Sequence, residues 1–332
     1  PPPHTHFQAE DVIRDLVLSL VGSEMCIRDS IMGYHKPALL HESINGLNIN
    51  PKGSYVDLTF GGGGHSLEFL KKLGKNGRLV VFDQDQDAFA NVPADRRLIY
   101  VGANFRYLKH YLRYHAIEKV DGILADLGIS SHQIDQPERG FSFKSDAALD
   151  MRMDVRNKQT ASRILNEAPR EELIRIFRSY GELGNASAIS AAIVAAREDA
   201  GIETTGDLEA VLKRFIPRHQ PSKFLARVYQ ALRIEVNHEM EALGEMLMQT
   251  ADCLKPGGRL VVITYHSIED RIVKNFMRSG NLKGEIEKDF YGNVISPWKL
   301  VNRSVITPSE EEIKENNRAR SAKLRIAERS ES

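Results

Sequence analysis

The sequence predicts an α/β protein built on a doubly wound parallel sheet that a mostly helical insert interrupts. Three observations predict it. The apolar stretch Val56-Asp57-Leu58-Thr59-Phe60 breaks into four consecutive glycines, Gly61–Gly64. A second apolar run, Arg78–Phe82, ends on Asp83, eighteen residues after His65. Runs with strand character then stop after Leu127 and return only at Arg259–Thr264, behind the turn Lys255-Pro256-Gly257-Gly258. Strands alternating with helical segments make a parallel sheet covered on both faces.

The elements follow in order. Residues 34–50 contain a short amphipathic helix, Ala38 to Leu47. Apolar runs predict strands at Tyr55–Leu58, Leu79–Phe82, Leu98–Val101 and Gly122–Leu127. Helical patterns lie between them at Ser66–Leu73, Asp87–Asn91 and Tyr107–His115. From 133 to 250 the pattern is helical: Ala161–Asn166, Arg170–Tyr180, Asn185–Ala200, Thr205–Phe215 and Lys223–Cys253. Asp207, after Thr205 and Gly206, is read as a helix-start element. The chain therefore divides into a first sheet part at 32–133, a helical insert at 134–250 and a second sheet part at 251–332 with a basic C-terminal tail. Residues 1–31 read as a leader foreign to the native protein. Their run Asp11–Ser30 resembles a translated sequencing adapter, and the native start is expected at Met32.

Composition narrows the function classes. The chain has 332 residues, 42% hydrophobic, enough to bury a sizeable core. Lys and Arg number 45, as do Asp and Glu, so attraction to nucleic acid must come from local clusters. The two cysteines, Cys26 and Cys253, exclude a disulfide framework and a cysteine-rich zinc site. They fit a reduced, cytoplasmic setting. The longest apolar run near the N-terminus, Leu16–Val21, is far short of the roughly 20 residues of a membrane span.

Ligands of such sheets sit beyond the carboxyl ends of the strands. The loops Thr59–His65, Asp83–Asp87, Gly102–Phe105 and Asp126–Gln133 should converge there, with Tyr265-His266-Ser267 alongside. Glycines let backbone N–H groups approach a ligand, and Asp83 can accept both hydroxyls of a ribose, so the pairing indicates an adenosine-containing cofactor. A dinucleotide site would carry G-x-G-x-x-G, but Ser66 stands at the third glycine and Asp57 leads the loop. A carboxylate is unhelpful beside a pyrophosphate. Beside the ammonium of a methionine moiety it makes a charge-assisted hydrogen bond worth roughly 1.5–3 kcal/mol. The loop thus favours S-adenosylmethionine over NAD. Phe105 either covers an adenine face or is a core aromatic. Asp83, Asp85 and Asp87 lie close together without the rest of a calcium loop, so no metal is expected.

Longer strings carry a family resemblance. They are Thr59–Ser66, Asp121–Ser131, Glu138–Phe143, Leu149–Asp154, Gln230–Asn237, His266–Lys274 and Arg318–Arg325. From about Tyr34 to the C-terminus the chain resembles the bacterial 16S rRNA (cytosine-N4)-methyltransferases, the RsmH or MraW family. The resemblance implies a class I (Rossmann-like) S-adenosylmethionine-dependent methyltransferase sheet with a helical insert. It implies methyl transfer to N4 of one cytidine in the decoding centre of 16S rRNA. Matched by motif, cofactor contacts fall on Gly63, Gly64, His65, Asp83, Phe105, Asp126 and Gln133. His132 departs from the proline common in relatives. The partner implied is 16S rRNA in the small ribosomal subunit, and a homodimer is among the assemblies the resemblance allows.

The N4 lone pair is conjugated with the ring, so the reaction needs alignment and an acceptor for the N–H proton. The polar-Pro-Pro-aromatic motif of many amino-methyltransferases is replaced here by Asp126-Leu127-Gly128-Ile129-Ser130-Ser131. Asp126 is the leading candidate acceptor, with Ser130 and His266 behind it. Asp126 serving only the methionine moiety, and His266 merely capping a helix, remain open at this point. For RNA, Lys213, Arg214, Arg218, Lys223, Arg227 and Arg233 form a stretch without an acid, interleaved by Phe215, Phe224 and Tyr229. The tail adds Arg318, Arg320, Lys323 and Arg325. The competing readings are an NAD-dependent oxidoreductase and a noncatalytic RNA-binding module that keeps a cofactor pocket.

Overall fold

The computed structural model describes residues 37–302 and 304–331. The expectations for residues 1–31, for Met32 and for Cys26 lie outside them. Seven strands form one sheet in the order β3-β2-β1-β4-β5-β7-β6: β1 (Ser54–Asp57), β2 (Arg78–Phe82), β3 (Leu98–Val101), β4 (Val120–Asp126), β5 (Leu254–Thr264), β6 (Trp298–Leu300) and β7 (Lys323–Arg329). The first five are parallel, and β7 and β6 run antiparallel at one side. The order reverses at β1, whose neighbours are β2 and β4, so the crevice for a ligand opens beyond the carboxyl ends of those strands. This is the class I methyltransferase sheet expected from the resemblance.

Side-chain alternation along each strand fills two apolar layers. Val56, Val80, Phe82, Ile123, Ala125, Leu260 and Val262 point into one, and Tyr55, Leu79, Val81, Leu124, Val261 and Ile263 into the other. Helices α1 (Leu40–Gly46) and α2 (Gly64–Lys72) cover the second face, and α3 (Leu108–Tyr114) the first. After β4 the chain makes a short helix, α4 (Ser131–Asp135), and enters the helical region. That region comprises α5 (Ala161–Glu167), α6 (Arg170–Ser179), α7 (Ala186–Asp199), α8 (Thr205–Leu212) and α9 (Pro221–Asn237). It has its own core around Leu149, Met151, Leu173, Phe177, Ile189, Leu208 and Leu232.

The helix expected over Lys223–Cys253 is two helices. His238, at φ 49°, breaks it into α9 and α10 (Glu239–Cys253). The cores part at the same place. Val228, Leu232 and Val236 belong to the helical region, whereas Leu243, Met246 and Leu247 pack under the sheet. Periodicity alone missed the break because both halves are amphipathic and no glycine or proline separates them. Asp207 is the third residue of a capping box, and Thr204 is the cap itself. Helix α11 (Ser267–Ser279) follows β5, and α12 (Glu310–Glu315) precedes β7. The expected basic tail is therefore largely a strand inside the sheet, paired with β5 over six residues.

Candidate functional site

The glycine turn is held from below by Asp57. This carboxylate is fully buried, accepts from Ser66 Oγ at 2.6 Å and from the Thr59 N–H at 3.1 Å. Burial pushes its pKa up, against those hydrogen bonds. Asp57 thus organises the turn through its own neighbours, and the ammonium contact expected of it has to compete with them. Gly61 and Gly63 adopt φ of 50° and 78°, conformations a side chain resists, and Gly63 is the N-cap of α2. At Gly64 a Cβ would meet Pro37 Cγ at 2.2 Å, so the turn is also packed from behind.

Asp83 closes the turn from the end of β2. Its Oδ2 accepts from the Gly61 N–H at 2.7 Å and its Oδ1 from the Asp85 N–H at 2.8 Å. Burial raises its pKa to about 6. The acids that follow Asp83 are met by a cation that sequence reasoning did not single out, from the turn Pro137–Arg139 after α4. Arg139, 9% exposed, donates to Asp85 Oδ2 and to Asp87 Oδ2, each at 2.9 Å, and to the Arg152 carbonyl at 2.9 Å. The signal was present: three acids in five residues require a counter-charge if any is buried, and Arg139 lies in one of the quoted motifs. Gly140 follows at φ 70°, where a Cβ would lie 2.3 Å from the Ala148 carbonyl oxygen. That close approach draws the Leu149–Asp154 segment against the loop after β2. Gln84 Nε2 reaches Met153 Sδ at 3.1 Å, and Asn104 Nδ2 reaches Gln84 Oε1 at 2.7 Å.

Gln133 is buried and uses both ends of its amide within the protein. Nε2 donates to Asp85 Oδ2 at 2.7 Å, and Oε1 accepts from the Ser130 N–H at 3.1 Å. Ser130 returns the bond as N-cap of α4. His132 Nε2 lies 3.3 Å from Asp87 Oδ2, a polar contact that proline could not make. Phe105 opens a 3-10 turn and packs, partly exposed, on the sheet core.

Asp126 ends β4 at the centre of the crevice. Its Oδ1 accepts from the Tyr265 hydroxyl at 2.8 Å, and its Oδ2 lies 3.7 Å from His65 Nδ1. The side chain is 21% exposed. Desolvation lifts its pKa to about 7, helped by the negative charges of Asp57 and Glu269 and opposed by the Tyr265 hydrogen bond. His65 is 5% exposed, and burial lowers its pKa to about 4, so the ring is neutral at pH 7. Its Nε2 is buried without a hydrogen-bond partner among the described residues. A buried, unpaired ring nitrogen at the glycine turn, with recessed carboxylates at the ends of two strands, fits an adenosyl cofactor with a charged amino-acid end.

His266 caps α11. Its Nδ1 accepts from the Glu269 N–H at 3.4 Å, and Nε2 lies 3.0 Å from Glu269 Oε1. Glu239, His266 and Glu269 stand close enough to be metal ligands by type. Both Glu239 oxygens, however, are engaged by the Arg233 guanidinium at 2.7 and 2.9 Å. Burial alone would raise Glu269, yet His266 and Arg233 outweigh it and its pKa lies below the ordinary value. The cluster joins α9, α10 and α11 through the Arg233–Glu239 pair and the His266–Glu269 approach.

The same contacts divide the expected RNA-facing residues. Lys213, Arg214, Arg218 and Lys223 are exposed. Arg227 instead donates to the carbonyls of Gly181 and Glu182, and Arg233 is taken by Glu239. Phe224 and Tyr229 are buried in the helical core. In the tail, Arg325 and Lys323 pair with Asp270, and Arg318 with Asp135. Charge counting along the stretch could not see these partners: Glu239 lies just past its end, and those of Arg227, Arg325, Lys323 and Arg318 are remote in sequence.

Comparison with known proteins gives the chain its relatives. The model of the MraW methylase family matches residues 32–330. A Ribosomal RNA small subunit methyltransferase H from Flavobacterium johnsoniae is 55% identical over 298 residues, covering 90% of this chain and 98% of its own. The protein of that name from Bacteroides thetaiotaomicron is 57% identical over 296 residues, covering 89% and 97%. Another from Flavobacterium psychrophilum is 57% identical over 291 residues, covering 88% and 100%.

Proposed function

The chain belongs to the MraW methylase family, and we propose that it methylates N4 of one cytidine in the decoding centre of 16S rRNA, with S-adenosylmethionine as methyl donor. The observation that carries the chemical part is the recessed Asp126 carboxylate. It stands beside the glycine turn with a pKa raised to about 7 by burial and one oxygen held by Tyr265. A base with that pKa takes up a proton near neutral pH most efficiently.

When bound, the cofactor supplies a sulfonium methyl as the electrophile. The turn residues Gly63, Gly64 and His65, with Asp83 and Phe105, hold its adenosyl end. Gln133 acts through Asp85, keeping the second loop in place. Asp126 receives the proton that N4 loses as its bond to carbon forms. Ser130 Oγ and His266 Nδ1 cap helices, and His266 Nε2 faces Glu269 Oε1 at 3.0 Å inside the protein. They therefore support the loops that carry Asp126 and Tyr265. The exposed cations Lys213, Arg214, Arg218 and Lys223 meet the RNA backbone, and the helical region shapes a pocket for an unstacked cytidine.

No helix among the described residues is long and apolar enough to cross a membrane. The action we propose is in the cytoplasm, on the small ribosomal subunit. The test uses small subunits lacking the decoding-centre modification, purified protein and methyl-labelled S-adenosylmethionine, with nucleoside mass spectrometry. Label in N4-methylcytidine at one site is expected. Label in another nucleoside, or none despite cofactor binding, overturns the assignment.

A further inference from the structure

Tyr265 holds one oxygen of the reacting carboxylate, and its surroundings show what that bond does. It is the first residue after β5. Its hydroxyl donates to Asp126 Oδ1 at 2.8 Å. Its ring lies along the loop after β4, where a Cβ at Gly128, φ 102°, would sit 3.5 Å from Tyr265 Cδ2. Its backbone is pinned from the other side: the Tyr265 N–H donates to Glu269 Oε2 at 3.0 Å. Glu269 in turn faces His266 at 3.0 Å and stands in the cluster with Arg233 and Glu239. Polar contacts therefore run from His266 and Glu269 at the start of α11 to the Tyr265 backbone, and from the Tyr265 hydroxyl to Asp126.

We propose that Tyr265 is a positioning residue for methyl transfer, its phenol fixing the Asp126 carboxylate so that Oδ2 faces the target amine and receives its proton. This rests on the reading of Asp126 as proton acceptor. A carboxylate with one oxygen tied has one rotamer and one oxygen left to present, which holds the base in line with the N–H bond. The phenol also donates to the charged form, and so holds Asp126 below the value that its burial would otherwise impose. The other ionisable groups around Asp126 are Asp57 and Glu269, which raise its pKa, and His65, which is neutral near pH 7. None of them replaces the phenol as a donor to Oδ1.

The experiment measures single-turnover methylation of unmodified small subunits across about pH 5.5 to 9, with cofactor affinity measured separately by calorimetry. The proteins are the full-length wild type, Tyr265→Phe and Asp126→Asn. The wild-type rate should rise with pH through an acid limb. In Tyr265→Phe the plateau rate should fall about tenfold and the limb should move up by about one pH unit, with cofactor affinity within about twofold of wild type. Replacing Tyr265 by 3-fluorotyrosine keeps the ring and strengthens the donor, and should move the limb the other way. That second variant also decides the matter if Tyr265→Phe does not fold. A limb that stays in place in both variants, while Asp126→Asn abolishes turnover, overturns the role of Tyr265 and leaves Asp126 as acceptor. Full turnover in Asp126→Asn overturns the acceptor reading, and the role of Tyr265 with it.

Discussion

Replacing Arg139 by methionine should destabilise the protein far more than a typical surface change, because Arg139 is the counter-charge of a buried acid. Asp85 is 6% exposed and Arg139 9%. The guanidinium reaches Asp85, Asp87 and the Arg152 carbonyl, each at 2.9 Å. Methionine keeps most of the apolar stem, so the change isolates the charge. What it leaves is a buried carboxylate held only by neutral donors, Gln133 Nε2 at 2.7 Å and the Asp87 N–H at 3.2 Å. Removing one partner of a buried pair costs about 3–5 kcal/mol. Urea unfolding of the cofactor-free protein, followed by circular dichroism, should show that loss. Asp85→Asn in the same background should recover part of it, since the stranded charge is then gone. The double-mutant cycle would give a coupling energy above about 1 kcal/mol. Cofactor binding should weaken alongside, because the clamp holds the loop that follows Asp83. A loss below about 1 kcal/mol in Arg139→Met, with no coupling to Asp85, would refute the idea that this pair organises the cofactor loop.

Two further expectations concern charge. The folded-state values of Asp126, about 7, and Asp83, about 6, are raised chiefly by burial, so the folded protein retains protons that the unfolded chain releases. Their contribution to stability is complete below the ordinary carboxylate pKa and is lost as pH rises through 6 and 7. Asp126→Asn should therefore unfold at higher urea than wild type at pH 8, by roughly 1–4 kcal/mol, with the gap closing toward pH 4. An equal gap at both ends would contradict the buried-charge account. On the RNA side, Arg214→Ala and Lys223→Ala should each weaken subunit binding and reduce the slope of log K against log salt by about one. An unchanged slope for both would remove this face from the RNA contact.

Much of the fold was legible in the chain because its signals are local. All five strands of the parallel part of the sheet stand as short apolar runs that need no tertiary information to be read. The glycine turn, the strand-end Asp83 and Asp126, and the motif that carries His65 were visible for the same reason. The break at His238 was not, since a left-handed residue between two amphipathic helices leaves no mark in hydrophobic periodicity. The tail was likewise read by its basic residues, although Leu324 and Ile326 alternate with Lys323 and Arg325 in a way that fits β7.

The sequence by itself determined the parallel part of the sheet, the glycine loop and the family. These follow from backbone permissiveness at Gly61 and Gly63, from apolar periodicity and from motif order. Only the tertiary structure decided what each charged side chain does. Asp57 and Asp126 are both acids at strand ends, but one is sealed under the glycine turn and the other opens into the crevice. Arg214 and Arg233 belong to one basic stretch, but the first is exposed and the second is forked on Glu239. Tyr265 stands 139 positions from Asp126 and touches it. The physical reason is one of range: an ionisable group takes its role from its desolvation and nearest partners, and in a folded chain those partners come from anywhere in the sequence.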